Sequence, residues 1–478
     1  MQSKIRSTIR SWAFGLALSA ALASGSGAAA QTASIPAAPA PGAPSAASFQ
    51  GSVPRGAVTA GVLDLSLDDA IRRGLDANLG VILSGAQAAG ARAQKLSQLQ
   101  PLLPSVDATA REVEMESDLP AEGLRVPGFP TIIGPFAYTD LRASLNWSLV
   151  DVSSLRSYLA ARHNFAAAQL SAEDARNLVV LTVGNAYLLV LADETEVRTV
   201  EAQAATAKIS LDQAVANHQA GTAPLLDELR ARVDAQSIEQ ELIAARNARD
   251  KDKLALKRAI GLPLDQKIRL TDQAPYAPFD AIDTQALIAQ AEKNRQDLAA
   301  LVEAAAAAEQ QRKAATAARL PAIGIAADYG DIGTTLSHSH GTVNAAATLS
   351  VPVFEEFALR GQTQQAQAQL DVAQAQLSNQ RAQVEADVRD ALLDIGSAQK
   401  QVQVAVASMD LADEALKEAQ ERYANGVSDN LSVSQAQQSV AQADGQYVAS
   451  LYRYNVAKLS LARALGAGLD YKKYLGGK

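Results

Sequence analysis

The residues of this chain that have the chemistry for catalysis or metal binding are few and widely spaced. His338 and His340 in the segment SHSHG are candidate metal ligands, but a protein metal site takes three or four ligands, so we expect both to be solvated. Asp390 and Asp394 are the nearest approach to a paired-carboxylate site. Their spacing puts both side chains on one exposed face of a helix, where a charged wall is expected rather than acid/base catalysis. The chain has no cysteine, which excludes thiol catalysis and disulfide bonds.

Composition and charge narrow the possible functions. The 478 residues carry a formal net charge of −8 and the pI is about 5.2, so there is no basic surface of the kind that binds nucleic acid. The glycines form no phosphate-binding loop. Aromatic residues make up only 4% of the chain, while alanine is abundant, a composition typical of closely packed helices. We therefore predict a protein without enzymatic activity, cofactor or metal, which does not bind nucleic acid.

The amino terminus has the pattern of an export signal. Residues 1–30 contain three basic residues, then an apolar run from Trp12 to Ala23, then three alanines before Gln31. The run is too short to span a bilayer as a retained anchor. Residues 31–60 are rich in Pro, Ala, Gly and Ser with almost no charge, which predicts a disordered leader. We therefore expect an exported protein.

Two long helices folded back on each other are predicted between Val384 and Leu465, about the turn sequence YANGVSDN. Apolar residues repeat every seven positions along both arms, which is the pattern of a coiled-coil seam. In the first arm these are Val388, Ile395, Val402, Met409, Leu416 and Tyr423, with Ala391, Ala398, Ala405, Ala412 and Ala419. In the second arm they are Val433, Val440, Tyr447, Tyr454 and Leu461, with Ala436, Ala443, Ser450, Ala457 and Ala464. Gly426 can adopt the left-handed conformation that ends a helix.

A shift of 205 positions superimposes the two halves of the sequence. It places Gly221 under Gly426 and continues the heptads into an arm from about Leu155 to His218, which would be about 95 Å long at about 1.5 Å per residue. Each half then consists of a helix, two short segments, a very long helix, a glycine turn and a return helix. The predicted domains are a first repeat over residues 61–266, a second repeat over residues 267–467 and a tail over residues 468–478. Two copies are too few for a solenoid, so we infer a tandem duplication.

Four short segments change the period of the pattern from seven to two. In LRASLNWSLVD and in TVNAAATLSVPVF, apolar residues on one face alternate with polar residues on the other. Partner strands are predicted just after Pro104 and Pro321, in VDATAREVEME and AIGIAADYGDI. Pro104, Pro321 and Pro352 mark the junctions between strands and helices. Each strand has about the ten residues that cross a bilayer in a β-barrel.

Four such strands cannot close a barrel by themselves. Open edges cannot face lipid, because unpaired backbone groups are too costly there, so several subunits must share one barrel. The alternative, from the alternation alone, is a small soluble sheet that caps a coiled coil. In the membrane interpretation, loops over residues 123–135 and 331–341 lie outside the cell, and the turns at Gly221 and Gly426 lie at the opposite end.

Several motifs follow one another in order along the chain, and the turn motif occurs once in each half. They are LSLDDAIRRGLDANLGVILSGAQ, VPVFEEFALRG, and the paired turn motifs HQAGTAPLLDELRAR and RYANGVSDNLSVSQAQ. With these motifs, over about residues 63–466, the chain resembles the TolC family of outer-membrane efflux proteins. The resemblance implies a mainly α fold with β structure, in which a homotrimer shares one transmembrane β-barrel joined to a long coiled-coil α-helical barrel. It also implies a place in the outer-membrane lipid with a long periplasmic extension, and partnership with a periplasmic adaptor protein and an inner-membrane pump of the RND or ABC type.

The resemblance further implies candidate residues at a periplasmic entrance. Asp227 and Tyr423 match family positions that help to hold the entrance helices closed, where phenol and carboxylate would pair. The alternative is that Tyr423 fills a heptad position and Asp227 is solvated. Where the family often has two aspartates that favour cations, this chain has Ser432 and Gln435. The hairpin tips expected to contact the adaptor are Gly221 and Gly426.

Two functions are compatible with this sequence. The first is an outer-membrane channel, the exit duct of a tripartite efflux or type I secretion system, which passively conducts substrates driven by the inner-membrane pump. The second is a soluble periplasmic coiled-coil adaptor or structural spacer. The export signal, the strand length and the duplication favour the channel.

Overall fold

The computed structural model describes residues 46–59, 61–121, 123, 127–128, 130–272, 276–279, 283–425, 427–428 and 430–475. The predicted export signal over residues 1–30 lies outside the described residues, as do residues 31–45 of the predicted leader. Helices dominate what is described. In chain order they are α1 (Leu67–Ala77), α2 (Leu79–Leu99), α3 (Val152–Gln219), α4 (Leu225–Ala259), α5 (Thr284–Asn294), α6 (Gln296–Ala317), α7 (Glu356–Ala424), α8 (Asn430–Ala464) and α9 (Tyr471–Leu475). The strands are β1 (Leu63–Leu65), β2 (Ser105–Asp118), β3 (Ile132–Val150), β4 (Ile268–Leu270), β5 (Ala322–Gly333) and β6 (Ser339–Ser350).

The long helices pack through the predicted heptad positions. In α7, Val388 and Ile395 are buried, and Ala391 between them is buried as well. Small side chains at the second heptad position let neighbouring backbones approach closely. Outside the seam, Gly184 allows a further close contact between α3 and α8, since a Cβ atom there would lie only 2.8 Å from the Cδ1 atom of Leu459. The seam predicted from the sequence is therefore the packing surface of the hairpins.

Two buried clusters form the core, one around each of the longest helices. The first surrounds α3 between Val179 and Leu191 and includes β1, β4 and α9. The second surrounds α7 between Val384 and Val402 and includes α5 and the last turns of α8. One stretch of α3 is apolar and long enough to cross a membrane, but 56% of it is buried against the other elements. This stretch is therefore interpreted as an interior segment of the coiled coil.

Each repeat begins with two helices rather than the single helix predicted. Asn78 separates α1 from α2: its extended backbone ends α1, and its side chain accepts a hydrogen bond from the Gly80 N–H to start α2. Arg295 makes the equivalent break between α5 and α6. A single extended residue hardly disturbs the apolar pattern on either side, which is why the pattern does not reveal the break.

A two-stranded parallel sheet joins the two repeats. β1 pairs with β4 so that Leu63 lies opposite Ile268. Next to them the guanidinium of Arg269 donates to both carboxylate oxygens of Asp64, at 2.7 and 2.9 Å, across a sequence separation of 205 residues. This separation equals the repeat shift, so each residue of β1 pairs with its own counterpart in the second repeat.

The other four strands form an antiparallel sheet in the order β2-β3-β5-β6. Leu145 on β3 lies opposite Ala327 on β5, while Ser144 lies opposite Asp328, which in turn lies opposite Asn344 on β6. Directly opposed residues share a face of the sheet. Around these residues the predicted alternation therefore gives the sheet one apolar face and one polar face, while Asp331 lies opposite Leu141 on the apolar side.

The strand boundaries differ from those predicted at both ends of the sheet. β3 begins at Ile132 and β6 at Ser339, inside the loops predicted over residues 123–135 and 331–341. Backbone pairing between β5 and β6 continues as far as Gly333, which lies opposite Ser339. β6 ends at Ser350, although its alternation predicts a strand through Phe354. Pro352 has no N–H to donate to a ladder, so regular pairing stops before it.

Candidate functional site

The turn between α3 and α4 depends on Gly221, whose φ is +72°. Its N–H donates to the carbonyl oxygen of His218 at 3.0 Å, and the N–H of Thr222 donates to that of Asn217 at 2.9 Å. These two bonds form the Schellman motif, which satisfies the last carbonyl groups of a helix. A Cβ atom at Gly221 would meet nothing within 4 Å, so the backbone conformation rather than the space requires glycine.

The turn between α7 and α8 repeats this pattern. The N–H of Val427 donates to the carbonyl oxygen of Arg422 at 2.9 Å, in the position equivalent to the bond between Thr222 and Asn217. Gly426 itself lies outside the described residues. The two hairpins thus reverse direction through equivalent hydrogen bonds.

The predicted gate pair, Asp227 and Tyr423, is not hydrogen-bonded within the described part of one chain. Asp227 lies in the first turn of α4, where a negative charge is favourable at a helix N-terminus. Its side chain is 14% exposed, and its carboxylate is 3.8 Å from the guanidinium of Arg230. Tyr423 is half-buried in the last turn of α7. A gate role for the pair stays a prediction.

Ser432 and Gln435 lie near the start of α8. Ser432 is half-buried and accepts a hydrogen bond from the Ser428 hydroxyl at 2.9 Å. The Gln435 side chain is exposed, and its backbone carbonyl accepts a hydrogen bond from the Ser439 hydroxyl at 3.0 Å. Both positions carry neutral groups, so they add no charge to the surface beside the second turn.

Two hydrogen bonds between the hairpins are not predicted by the sequence. The Ser434 hydroxyl on α8 donates to the carboxylate of Asp234 on α4. The Gln437 amide on α8 donates to the Ser210 hydroxyl on α3 at 3.2 Å. These residues occupy polar positions outside the heptad seam, where neither spacing nor composition distinguishes them from solvated residues. They tie the second hairpin to the first close to the turns.

A cavity of about 690 Å³ lies between the two hairpins. Asp234 and Ser434 belong to its wall, together with Arg198, Glu241 and Asp444. Most of the remaining lining groups are hydroxyls and amides, with a few aliphatic side chains. The wall of this cavity is therefore mixed apolar and polar, its charged groups are mostly acidic, and the bond between Asp234 and Ser434 lies beside it.

Carboxylates continue along α3 beyond this cavity. Burial raises the pKa of Glu196, and the negative charges of Glu241 and Asp444 raise it further. Burial also raises the pKa of Asp193 well above its usual range, and a hydrogen bond with Asp252 on α4 adds to this effect. Close approach of two carboxyl groups favours the protonated form of one of them. The wall between the hairpins is thus less negative than its count of acids suggests.

A buried ion network connects α3 of the first repeat with the second repeat. Arg463 on α8 lies 2.8 Å from the Asp174 carboxylate on α3 and 3.7 Å from Asp297 on α6. Arg295 pairs with Asp297 at 2.6 Å and also with Asp387 on α7. Burial raises the pKa of Asp174 to about 6, although the charge of Arg463 opposes this shift. The network thus joins α3 of the first repeat to α6, α7 and α8 of the second.

The three predicted junction prolines lie where strands and helices meet. Pro104 and Pro321 immediately precede β2 and β5, and Pro352 follows β6. Large apolar side chains after Pro352 are almost fully exposed in the single chain. They are Val353, Phe354 and Phe357, with 90%, 92% and 87% of their surface exposed. Exposed apolar groups of this size and proximity mark a contact surface.

The remaining candidates from the sequence do not form a site among the described residues. His338 lies in the turn before β6, where its Nδ1 atom is 3.0 Å from the Thr335 hydroxyl, and His340 lies in β6. No group of three or more potential metal ligands occurs in the described part of the chain. Asp390 and Asp394 are exposed on α7.

Known proteins share both the sequence pattern and the fold. The outer membrane efflux protein family matches this chain twice, over residues 83–262 and 287–467. The toluene efflux pump outer membrane protein TtgF of Pseudomonas putida is 26% identical over 339 residues, which cover 69% of this chain and 70% of TtgF. The double match confirms the resemblance inferred from the motifs.

Solved structures extend the likeness to the whole architecture. The Campylobacter jejuni CmeC outer membrane channel superimposes with a TM-score of 0.76 at 18% identity, over 90% of this chain and 95% of CmeC. The outer membrane protein VceC of Vibrio cholerae gives a TM-score of 0.73 at 22% identity, over 84% of this chain and 96% of VceC. These likenesses confirm the predicted helical barrel with a β-domain. The chain belongs to the outer membrane efflux protein family, a family of transport channels, and is the outer-membrane exit duct of an efflux system, with a periplasmic extension.

Proposed function

We propose that the chain works as a homotrimer in a tripartite efflux pump. Each protomer contributes its four-stranded sheet to one shared barrel and its two long hairpins to a periplasmic α-helical barrel. A periplasmic adaptor protein engages the hairpin tips at Gly221 and Gly426. An inner-membrane pump of the RND or ABC type supplies the energy, and the channel conducts passively.

The sheet β2-β3-β5-β6 is the observation that carries this proposal. Its outer strands, β2 and β6, pair on one side only within the described chain, and one face of the sheet is apolar. In a bilayer each unpaired backbone group would cost several kcal/mol, so both edges need partner strands. Copies of the same chain supply such edges, since β6 of one protomer can pair with β2 of the next. Three copies give twelve strands, within the range of bacterial outer-membrane barrels.

The exposed surface after Pro352 supports the same assembly. Val353, Phe354 and Phe357 lie at the junction between β6 and α7, beside the free edge of the sheet. Burial of a side chain of this size stabilises a contact by roughly 1.5–3 kcal/mol. A neighbouring protomer that pairs with β6 would cover this surface as well, which favours association around a closed ring.

The relatives support efflux rather than secretion as the process served. TtgF is named as part of an efflux pump, and the matching family is described as outer membrane efflux proteins. We infer that Asp227, Tyr423, Ser432 and Gln435 surround the periplasmic entrance of the trimer. Because Ser432 and Gln435 are neutral, we expect the entrance to select weakly for cations. Divalent cations should then block it less than a variant with aspartate at both positions.

Membrane fractionation and mass determination test the assembly. We expect the mature protein in the outer-membrane fraction, and light scattering in detergent should give three times the protomer mass. Recovery of all the protein in the soluble periplasmic fraction as a monomer would contradict the channel and favour the soluble spacer.

Cysteine labelling tests the orientation without background, since the chain has no cysteine of its own. Thr131→Cys and Thr335→Cys lie in the loops between strands, and Val427→Cys lies in the second hairpin turn. An impermeant thiol reagent should label the first two variants in intact cells and the third only after the outer membrane is opened. Equal labelling of all three in intact cells would refute the orientation.

A further inference from the structure

The polar face of the sheet carries an ion cluster that spans three strands. The guanidinium of Arg142 on β3 pairs with Asp140 on the same strand at 3.3 Å and with Asp328 on β5. It also donates to the Thr342 hydroxyl on β6 at 3.3 Å. The side chains of Arg142, Asp140 and Asp328 are only 19–25% exposed. The guanidinium is thus held by partners on three different strands.

Gly330 makes this arrangement possible. It lies directly opposite Arg142 on β5, between Arg142 and the strand that carries Thr342. A Cβ atom on Gly330 would lie 2.4 Å from the carbonyl oxygen of Leu141 and 3.0 Å from the Cβ atom of Arg142. The missing side chain leaves the path across β5 open, so the guanidinium can reach β6.

The register assigns all of these groups to one face. Arg142 lies opposite Thr109 on β2 and Gly330 on β5, and Asp328 lies opposite Ser144 and Asn344. The other face carries the apolar set, for example Leu145 and Ala327. In membrane β-barrels the apolar face contacts lipid and the polar face lines the lumen. If the sheet forms part of the shared barrel proposed above, the cluster faces the lumen.

The cluster has an excess of negative charge, because two carboxylates face one guanidinium. Across β2, Asp107 lies opposite Ser144 and Arg111 lies opposite Asp140, which adds one acid and one base to the same face and leaves the excess unchanged. Threefold repetition would arrange this excess as a ring at the middle of β5.

We propose that Asp140, Arg142 and Asp328 form a selectivity ring inside the barrel that favours cationic over anionic solutes in the outer part of the duct. The fixed carboxylates raise the local concentration of cations and lower that of anions. Arg142 limits this preference and keeps both carboxylates in place. The inference rests on the proposed function, since it requires the polar face to line a lumen.

Reversal potentials measured in planar bilayers under a KCl gradient test the ring. Two variants are compared, one that removes a negative charge and one that removes a positive charge. Asp328→Asn removes one negative charge per protomer and should lower the K⁺/Cl⁻ permeability ratio by about two- to fourfold near 0.1 M salt. Arg142→Gln removes the positive charge and should raise the ratio. Both effects should shrink at 1 M salt, where screening shortens the reach of each charge.

Asp331→Asn is the matched control. Asp331 lies on β5 three residues beyond Asp328, but it pairs with Leu141 and Gly341 and so belongs to the opposite face. Its removal should leave the permeability ratio unchanged. If the wild-type protein showed no conductance, the proposed channel itself would be contradicted. Normal conductance with equal ratios in wild type, Asp328→Asn and Arg142→Gln, or with shifts of the same sign in both variants, would overturn the selectivity ring alone.

Discussion

The Ser434 hydroxyl donates a hydrogen bond to the carboxylate of Asp234, and this contact joins the return helices of the two repeats. Close by, the Gln437 amide donates to the Ser210 hydroxyl at 3.2 Å. Both bonds lie near the hairpin turns and beside the cavity between the hairpins. Separation of the hairpins at this end would require both bonds to break.

Ser434→Ala should weaken the closed arrangement of the hairpins. A half-exposed hydrogen bond to a carboxylate contributes about 1 kcal/mol, and threefold symmetry would multiply that effect at the entrance. We expect a higher open probability in single-channel recordings, with an unchanged yield of trimer because the heptad seam is intact.

Ser439→Ala is the matched control for this change. The Ser439 hydroxyl donates to the Gln435 carbonyl within α8, so the same substitution there leaves the contact between hairpins in place. Equal open probability for Ser434→Ala and Ser439→Ala would show that the bond to Asp234 does not hold the entrance closed.

Asp227 and Tyr423 are tested by a double-mutant cycle. If the two side chains pair across the closed trimer, then Tyr423→Phe, Asp227→Ala and the double variant should each raise single-channel conductance, with effects that are clearly not additive. Arg230→Gln serves as a control, because Arg230 is the partner of Asp227 within one chain. Unchanged conductance in the double variant would leave Tyr423 with a packing role only.

Substitution by alanine should lower the thermal stability at Gly221 and raise it at Gly396. A Cβ atom at either position would meet nothing within 4 Å, so space does not distinguish them. Gly221 has a φ of +72°, where alanine is strained by about 1 kcal/mol, whereas Gly396 lies inside α7, where alanine is favoured by about 1 kcal/mol. Thermal unfolding followed by circular dichroism should show a lower midpoint for Gly221→Ala and a higher midpoint for Gly396→Ala. Shifts of the same sign would contradict the assignment of the turn.

The pH dependence of unfolding should change in Asp174→Asn. The folded chain raises the pKa of Asp174 from 3.8 to about 6, so between these values it holds a proton that the unfolded chain has released. This contribution to the free energy of unfolding is therefore largest at low pH and is lost as the pH rises through about 6. Between pH 7.5 and pH 5 the wild type should gain about 1 kcal/mol per protomer relative to Asp174→Asn. Parallel pH profiles for the two proteins would show that Asp174 does not titrate in this range.

The sequence predicts those parts of the fold that depend on periodic burial. Val388 and Ala391 recur in a seven-residue pattern because each must face the neighbouring helix, and both are buried. The alternation around Leu145 predicts the sheet for the same reason. Periodicity alone does not predict where β6 ends. The apolar alternation continues past Pro352, but this residue has no backbone N–H to donate to the sheet.

The contacts between the two hairpins depend on single polar side chains and leave no periodic signal. Asp234 and Ser434 lie on helices from different repeats, and only the three-dimensional packing brings them together. The break at Asn78 is equally local, because one side chain caps the next helix. Sequence reasoning found the turn at Gly221, whose residue type is demanded by the backbone, but it did not single out Asp234, and the gate role of Asp227 stays a prediction.

The pairing of β1 with β4 has a consequence for the origin of the chain. Leu63 lies opposite Ile268 and Asp64 binds Arg269, so each residue meets its own counterpart in the other repeat. A half-length ancestor would form this contact between two separate copies, at a cost in association entropy. Gene fusion makes the contact intramolecular, with an effective concentration on the order of millimolar. It also frees the two halves to diverge, so that one hairpin can retain Asp234 and the other Ser434.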